Sequence, residues 1–259
     1  MYFRLSKHIN LKKPIDIFSP NFHYTILILG GFMSIQTTVT PIDNSVYIER
    51  SLASDSQIND VLDRSQKSFS LWKNTSIDER INIINKFIDN LLNLKTEVSK
   101  EICWQIGRPI SQCGNELRGF EERSRHMVDI AKESLQNIPA TKNDEFDNYI
   151  YKSPLGVIFV MAPWNYPIIT ATNTIVPALL AGNTLVLKHS SQTPMCAELI
   201  NKAFENTGLP EGVFQFVHTN HQACEKIISD PRVSHVVFTG SVRGGQEVKK
   251  YIGTRFINV

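Results

Sequence analysis

The sequence has little cysteine. Its four cysteines, Cys103, Cys113, Cys196 and Cys224, are scattered singly among 259 residues and form no CxxC pair. This usage excludes a disulfide-stapled secreted scaffold, because such scaffolds need a high density of paired cysteines. A reducing compartment fits best, and we predict a cytoplasmic protein.

Net charge and long apolar runs are also scarce. The 27 basic and 25 acidic residues give a formal charge of +2 and are interspersed. No basic stripe of the kind that holds a nucleic-acid backbone is present. The apolar run from Ile26 to Leu29 is far shorter than the roughly 20 residues that span a bilayer. We therefore predict neither a nucleic-acid partner nor a membrane partner.

Residues 1–32 differ in composition from the rest of the chain. They mix basic residues, prolines and the short apolar run. The pattern favours a disordered or misassigned extension, with Met33 as the natural beginning. A targeting segment is the alternative, because basic residues precede the apolar run, although no clear small-residue cleavage site comes after it.

The 42% hydrophobic content is enough for a buried core. A turn before Val46 leads to a short predicted strand, Val46 to Ile48, and helices come next. Ser54 with Gln57, and Ser76 with Glu79, have the spacing of capping boxes. Gly107 and Pro109 predict the end of a third helix, and a charged helix is expected over about 111–134. We predict a strand and helical part over 33–136 and a linker or oligomerisation strand over 137–155.

After Ser153 the pattern alternates between strands and helices. Continuous apolar runs of strand length predict parallel strands buried on both faces. They occupy 156–162, 184–189, 213–218 and 235–240. The predicted crossover helices lie at about 167–181, 193–208 and 221–229. This series predicts a doubly wound, Rossmann-like α/β domain over 156–259.

The segment HVVFTGSVRGG resembles a phosphate-binding turn between a strand and a helix. Gly240 and Gly245 are five residues apart, with Ser241 between them. Small residues let a backbone approach a pyrophosphate, and a helix amino terminus presents free N–H groups. The spacing is not the GxGxxG fingerprint, so by itself the turn is a weak signal.

Four segments, in order, carry a resemblance to the aldehyde dehydrogenase superfamily, which runs from about Thr40 to the last residue. They are SPLGVIFVMAPWNYP, VPALLAGNTLVLKHSSQTP, GLPEGVFQFV and VVFTGSVRGG. The resemblance implies an α/β fold in which amino-terminal helices precede a Rossmann-like parallel sheet. It also implies NAD or NADP as the cofactor, and oxidation of a small aldehyde to a carboxylic acid by the full-length enzyme.

The resemblance also assigns site residues. Asn165 corresponds to the asparagine whose amide stabilises the oxyanion formed when a thiolate attacks an aldehyde. Lys188 corresponds to a lysine that hydrogen-bonds the adenosine ribose. The full set of implied cofactor-binding residues is Met161, Ala162, Pro163, Trp164, Lys188, Ser190, Ser191, Phe238, Thr239, Gly240, Ser241 and Gly245.

Ser191 departs from many NAD-preferring relatives, which carry a glutamate at this position. A glutamate accepts from the ribose hydroxyls and would repel a 2′-phosphate. Serine removes that repulsion and leaves Lys188 as a point charge suited to phosphate. We therefore predict that NADP is accepted.

Two other patterns have simpler interpretations. His218, His221 and Cys224 have a spacing that could indicate a metal site, but no fourth ligand is near, so we predict no metal. The same loop departs from the glycines common in relatives. Cys113 could be imagined as a nucleophile, but the resemblance places it on an early helix facing away from the site, which favours a structural cysteine.

Two motifs that the family mechanism needs are absent from the 259 residues: Glu-Leu-Gly-Gly and Gly-Gln-x-Cys. We therefore predict a chain shortened before its catalytic glutamate and cysteine, lacking the catalytic domain and inactive alone, with FINV at 256–259 beginning a fifth sheet strand. One alternative is a non-catalytic nucleotide-binding or subunit-interaction protein that associates through a strand near 146–156. Another is an unrelated βαβ binding module, and homo-oligomerisation stays open.

Overall fold

A computed structural model describes residues 34–142 and 146–259. The predictions for residues 1–32 lie outside these ranges. In chain order the elements are β1 (Ile35–Val39), β2 (Val46–Ser51), α1 (Asp55–Trp72), α2 (Ile77–Asn93), α3 (Lys95–Ile106), α4 (Ile110–Ser134), β3 (Ile138–Lys142), β4 (Asp147–Ile150), β5 (Val157–Met161), α5 (Pro167–Leu180), β6 (Thr184–Lys188), α6 (Pro194–Ala203), β7 (Phe214–Phe216), α7 (His221–Ser229), β8 (Val233–Phe238) and α8 (Val242–Ile252).

The central sheet has four parallel strands in the order β7-β6-β5-β8. The chain steps outward from β5 to β6 and β7 and then returns to the other side of β5 as β8. This confirms the predicted doubly wound α/β fold. Met161 is paired with Lys188 on one side and with Phe238 on the other, so three strand ends meet at the carboxyl edge. The reversal between β5 and β8 makes this edge the place where open α/β sheets bind ligands.

Strand β5 is buried on both faces, as its continuous apolar run predicts. Ile158 and Val160 pack in one core cluster with apolar residues of α2, α4, α5 and α6. Val157 and Phe159 alternate to the opposite face and pack with residues of α1, α7 and α8. The amino-terminal helices therefore supply part of both layers that cover the sheet.

The predicted caps are observed, one of them in part. Ser54 and Gln57 form a complete capping box at α1. At α2 the Ser76 side chain accepts from the backbone N–H of Glu79, but no reciprocal bond from the Glu79 side chain is present. Gly107 ends α3 with a φ of 72°, a left-handed conformation that glycine adopts at little cost.

In the described part of the chain, two antiparallel strand pairs lie outside the parallel sheet. Strand β2 matches the predicted short strand. Its partner β1 was not predicted because no apolar run marks it, although the turn that joins it to β2 was predicted. Strands β3 and β4 pair within the segment predicted as a linker or oligomerisation strand. The prediction of a fifth sheet strand at 256–259 is wrong. No strand is assigned there, and a single 3.3 Å bond joins the Val236 N–H to the Asn258 carbonyl, too little for a ladder.

Candidate functional site

A cleft of about 840 Å³ opens at the carboxyl edge of the sheet, beside the ends of β5, β6 and β8. All of the predicted site residues except Ser191 and Gly245 line it. Its lining residues are Met161, Ala162, Pro163, Trp164, Asn165, Lys188, Ser190, His221, Cys224, Phe238, Thr239, Gly240, Ser241, Arg243, Gly244, Glu247, Val248 and Tyr251. Three strand ends and two helices thus form one site, which their separation in sequence does not reveal.

Asn165 lies in the loop between β5 and α5 with its side-chain amide oriented. Its Oδ1 accepts from the backbone N–H of Tyr166 at 3.0 Å. Because that N–H can only donate, the oxygen of the amide is fixed against the backbone. Within residues 34–142 and 146–259, Nδ2 of Asn165 donates to no protein acceptor. The geometry leaves an amide donor at the cleft wall.

Arg108 and Glu116 support the Asn165 loop from behind. Glu116, on α4, is buried, and its Oε1 accepts from the backbone N–H groups of Ile168 and Ile169 at 2.7 and 3.2 Å, which caps α5. Its Oε2 lies 2.5 Å from Nη1 of Arg108. Nη2 of Arg108 donates to the Asn165 carbonyl. Neither residue was predicted, and their spacing of eight gives no signal of this convergence.

Arg108 also lies over the ring of Tyr166, with its guanidinium carbon 4.7 Å from the ring centroid. Both Trp164 and Tyr166 expose more than half of their surface, at 54% and 55%. A cation over an aromatic face is attractive by about 0.5–1 kcal/mol at an exposed site. The loop is therefore held at the Asn165 carbonyl and at the Tyr166 ring, whereas Trp164 is a half-exposed part of the cleft lining.

The opposite wall is the loop after β6. Lys188 ends that strand and is partly exposed, and no acceptor among the described residues binds its Nζ. Ser191 does not line the cleft. Two side chains of β1 hold its backbone carbonyl: Thr38 Oγ1 donates to it at 2.7 Å, and Gln36 Nε2 donates to it at 3.3 Å. The backbone of Ser191 is thus drawn toward β1, while its side chain is exposed beside the cleft.

His189, between Lys188 and Ser190, is buried. Its Nδ1 accepts from the backbone N–H of Ser190 at 3.0 Å and lies 2.9 Å from the Thr193 hydroxyl. The proton therefore sits on Nε2, which donates to the Pro167 carbonyl at 2.9 Å. Burial lowers the pKa of His189 to about 4, a shift that the Pro167 carbonyl only partly opposes. The ring is neutral and joins the two loops of the cleft.

Helix α8 begins at the cleft. Ser241 is its N-cap, and its Oγ accepts from the Gly244 N–H at 3.1 Å. A Cβ on Gly240 would meet the far end of the Phe238 ring at 2.5 Å, so any larger residue there would force the ring to shift. Gly245 lies in the second turn, under the same ring, which explains why it does not line the cleft. The first turn presents N–H groups and a positive dipole end to the cleft.

Helices α7 and α8 form the far end of the cleft with residues outside the predicted set of cofactor-binding residues. His221 and Cys224 come from α7, and Arg243, Glu247 and Tyr251 from α8. A hydrogen bond from Lys250 lowers the pKa of Glu247, which is therefore a carboxylate. Helical spacing of three and four along α7 and α8 is the signal that could have found these residues.

The structure shows where the residues lie that could have indicated a metal site or a nucleophilic cysteine. Nε2 of His218 lies 3.1 Å from Oε1 of Glu198, and that carboxylate also binds Arg50. Over residues 34–142 and 146–259, no group of three or more His, Cys, Asp or Glu side chains is placed to hold a metal ion. Cys113 is buried on α4, and burial raises the pKa of its thiol, which disfavours the thiolate.

The fold and the cleft define a class: a doubly wound α/β protein with a cleft at the switch point of its sheet, where such folds bind ligands. The sequence profile of the aldehyde dehydrogenase family matches residues 33–259. The chain belongs to the aldehyde dehydrogenase family.

Matches to individual curated proteins support the same family. The chain is 31% identical over 200 residues to an aldehyde dehydrogenase of Paenarthrobacter nicotinovorans, covering 76% of this chain and 44% of that protein. It is 29% identical over 218 residues to succinate-semialdehyde dehydrogenase [NADP(+)] 1 of Mycobacterium tuberculosis, covering 83% and 48%. The chain spans about half the length of the curated relatives it matches.

Solved structures share the fold. Succinic semialdehyde dehydrogenase from Streptococcus pyogenes in complex with NADP+ matches with a TM-score of 0.81 and 24% identity, covering 86% of this chain and 49% of that one. An aldehyde dehydrogenase from Bartonella henselae matches with a TM-score of 0.81 and 24% identity, covering 88% and 48%. None of the helices in the described part of the chain is long and apolar enough to cross a membrane.

Proposed function

We propose that this chain binds NAD or NADP in the cleft, as the cofactor-binding part of an enzyme that oxidises a small aldehyde to a carboxylic acid. The observation that supports it most is the meeting of three strand ends, at Met161, Lys188 and Phe238, beside the first turn of α8. A helix amino terminus at a switch point is the arrangement that holds a pyrophosphate in other doubly wound proteins.

The residues present fit a dinucleotide. Lys188 and Arg243 supply two cations, and the first turn of α8 supplies backbone donors for phosphate oxygens. Among the described residues that line the cleft, Glu247 is the single acidic one, and it lies in the second turn of α8. Lys188 would hold the ribose, and Ser241 would stay the cap that keeps the turn in place. A bound nicotinamide dinucleotide would supply the acceptor of the hydride.

Asn165 would donate from Nδ2 to the oxygen of a substrate carbonyl. The amide is oriented by the Tyr166 N–H before any substrate binds, so little reorganisation is needed when negative charge develops on that oxygen. One such donor typically contributes about 3–4 kcal/mol to lowering the barrier.

We expect the 259 residues alone not to oxidise aldehydes. Neither the Glu-Leu-Gly-Gly nor the Gly-Gln-x-Cys motif occurs in them. Cys113, Cys196 and Cys224 are buried, and burial raises the pKa of Cys196 well above its usual value, which disfavours a thiolate. Purified chain that reduced NAD or NADP in the presence of a panel of aldehydes would contradict this expectation.

Dinucleotide binding is tested by isothermal titration with NAD and with NADP. We expect the wild-type chain to bind, and Lys188→Met to bind roughly 10- to 150-fold more weakly, since it loses a charged hydrogen bond worth about 1.5–3 kcal/mol. The matched control is Lys86→Met, at an exposed lysine of α2 outside the cleft. The proposal fails if the folded wild-type chain binds neither dinucleotide.

A second candidate function is self-association, and one observation favours it. Strands β3 and β4 form a two-stranded pair, and Tyr149, Ile150 and Tyr151 expose 58%, 57% and 73% of their surface. Exposed apolar side chains on a paired strand fit an interface between subunits. Sedimentation velocity tests it: we expect a homo-oligomer, and a monomer for the Tyr149→Lys, Tyr151→Lys double variant. A monomeric wild-type chain at micromolar concentration would exclude this association.

A further inference from the structure

We propose that His189 is a positioning residue that fastens the cleft wall carrying Lys188 and Ser190 to the wall carrying Asn165. The role goes beyond dinucleotide binding as proposed above and rests on it only for its effect on affinity. No sequence motif marks this histidine, and it does not itself line the cleft.

One nitrogen of the His189 ring holds the loop after β6. Nδ1 lies 3.0 Å from the Ser190 backbone nitrogen and 2.9 Å from the Thr193 hydroxyl. Thr193 is the N-cap residue of α6, so the ring spans the whole connection from the end of β6 to the start of α6. Both partners of Nδ1 lie within this connection, and the ring holds it in one conformation.

The other nitrogen of the ring binds the opposite wall. Nε2 of His189 donates at 2.9 Å to the carbonyl of Pro167, the first residue of α5. Pro167 is two residues after Asn165 and directly follows the loop that carries it. A neutral imidazole with its proton on Nε2 satisfies both walls at once, because it accepts on one nitrogen and donates on the other.

The ring is protected from water and from protonation. The residue is only 4% exposed, so water does not compete for the ring nitrogens. Burial lowers the pKa of the imidazole, and the nearby positive charge of Lys188 lowers it further. The accepting role of Nδ1 is therefore stable at neutral pH. A buried polar group with every hydrogen bond made fixes its surroundings strongly, because losing any one partner is costly.

The consequence is that the two walls move together. Gln192 ties the loop after β6 to Val39 from outside, and Thr38 holds the Ser191 carbonyl. These contacts fix the loop to β1, whereas His189 fixes it to α5. Without the imidazole, the Ala162 N–H would still donate to the Lys188 carbonyl at 3.0 Å, so the two strand ends would stay together. The loops beyond that bond, which carry Ser190 and Asn165, would lose the link that His189 makes between them.

The test compares His189→Leu, which keeps the approximate volume and makes no hydrogen bonds, with His189→Gln, which keeps one acceptor and one donor. The control is Thr207→Val, which removes a buried hydroxyl bonded at 2.7 Å to the Phe204 carbonyl between α6 and β7, away from the cleft. Amide hydrogen exchange is measured on the 259-residue chain without any dinucleotide, over the segments 163–169 and 188–193.

We expect His189→Leu to accelerate exchange in both segments, His189→Gln to restore most of the protection, and Thr207→Val to leave both segments unchanged. Acceleration confined to 188–193 would overturn the proposal, because the histidine would then act only within its own loop. If His189→Leu does not fold, His189→Asn replaces it, since its shorter side chain keeps an acceptor but does not reach Pro167.

The second measurement is the dissociation constant for NAD and NADP. We expect it to rise about tenfold in His189→Leu and to change less than threefold in His189→Gln and Thr207→Val, a difference of about 1.4 kcal/mol for the first variant. An unchanged constant in His189→Leu would overturn the positioning role. If the wild-type chain binds neither dinucleotide, the proposed function fails, and the exchange measurement still decides the link made by His189.

Discussion

At the scale of single residues, the most consequential contact is the ion pair between Arg108 and Glu116. The Glu116 side chain is fully buried and caps α5, so it cannot reach water if its partner is removed. We expect Arg108→Met to lower the free energy of unfolding by roughly 3–5 kcal/mol, the usual cost of breaking a buried pair from one side. Urea unfolding measures it, with Arg118→Met at an exposed position of α4 as the control.

The Arg108→Lys variant tests whether a positive charge at this position is enough or whether the planar guanidinium is needed. Lysine keeps the positive charge but cannot bind Glu116 and the Asn165 carbonyl with a planar fork. We expect its loss of stability to lie between those of the wild type and Arg108→Met. A Met variant within about 1 kcal/mol of the wild type would show that the pair does not support the loop.

His189 gives a pH-dependent prediction at the same scale. Its pKa is near 6.5 in the unfolded chain and about 4 when folded. Between these values the unfolded chain binds a proton that the folded chain does not, so stability falls as the pH drops from 7 to 4, by roughly 3 kcal/mol in all. The loss is absent above pH 7, where both states are neutral.

His189→Gln cannot bind that proton. We therefore expect the stability difference between wild type and variant to be constant above pH 7 and to shift by roughly 3 kcal/mol in favour of the variant by pH 4. Urea unfolding at pH 7, 6, 5 and 4 measures it, and His126→Gln, at an exposed histidine of α4, is the matched comparison. Parallel pH curves for wild type and His189→Gln would refute the buried, neutral state.

At the scale of elements, the N-cap of α8 combines a structural role with a proposed binding role. We expect Ser241→Ala to cost about 1 kcal/mol of stability, because the Gly244 N–H loses its acceptor. Ser54→Ala, at the capping box of α1, should cost a similar amount. Only Ser241→Ala should weaken dinucleotide binding, by about fivefold, and titration of both variants with NADP checks this. Equal affinities would place the cofactor away from α8.

The helices and strands also show how much of the fold could be predicted from the sequence. Four parallel strands and their crossover helices were predicted, because continuous apolar runs and glycine turns depend on neighbouring residues along the chain. Strand β1 was missed, since its pairing with β2 depends on contacts rather than on its own pattern. The fifth strand at 256–259 was predicted wrongly because a short apolar stretch alone does not ensure a ladder. Most of the predicted site residues lie together because strand ends in register must meet.

The residues that sequence reasoning missed act through long-range contacts. Glu116 reaches Ile168 across 52 positions, and His189 reaches Pro167 across 22. Neither contact has a periodic or local signature. A glutamate on a charged helix such as α4 is expected to face solvent. Only the packing of α4 against α5 shows that Glu116 is buried. Supporting residues of a site are therefore the part that a single sequence reveals least.

At the scale of the whole molecule, ligand binding and global stability are linked, which makes cofactor preference measurable without activity. A ligand at 100 times its dissociation constant adds about 2.7 kcal/mol to the free energy of unfolding if it binds only the folded state. Ser191 places no carboxylate beside Lys188, so we expect NADP as well as NAD to raise the midpoint of thermal unfolding.

Ser191→Glu should reverse part of this behaviour. The Ser191 backbone is held by Thr38, so a new carboxylate would be introduced on a fixed loop next to Lys188. Repulsion of a 2′-phosphate should remove most of the shift caused by NADP while the shift caused by NAD stays. Ser70→Glu adds the same charge on α1, away from the cleft, and should change neither shift. Stabilisation of the wild type by NAD but not by NADP would contradict the prediction, because the absence of a glutamate would then be insufficient for the phosphate to bind.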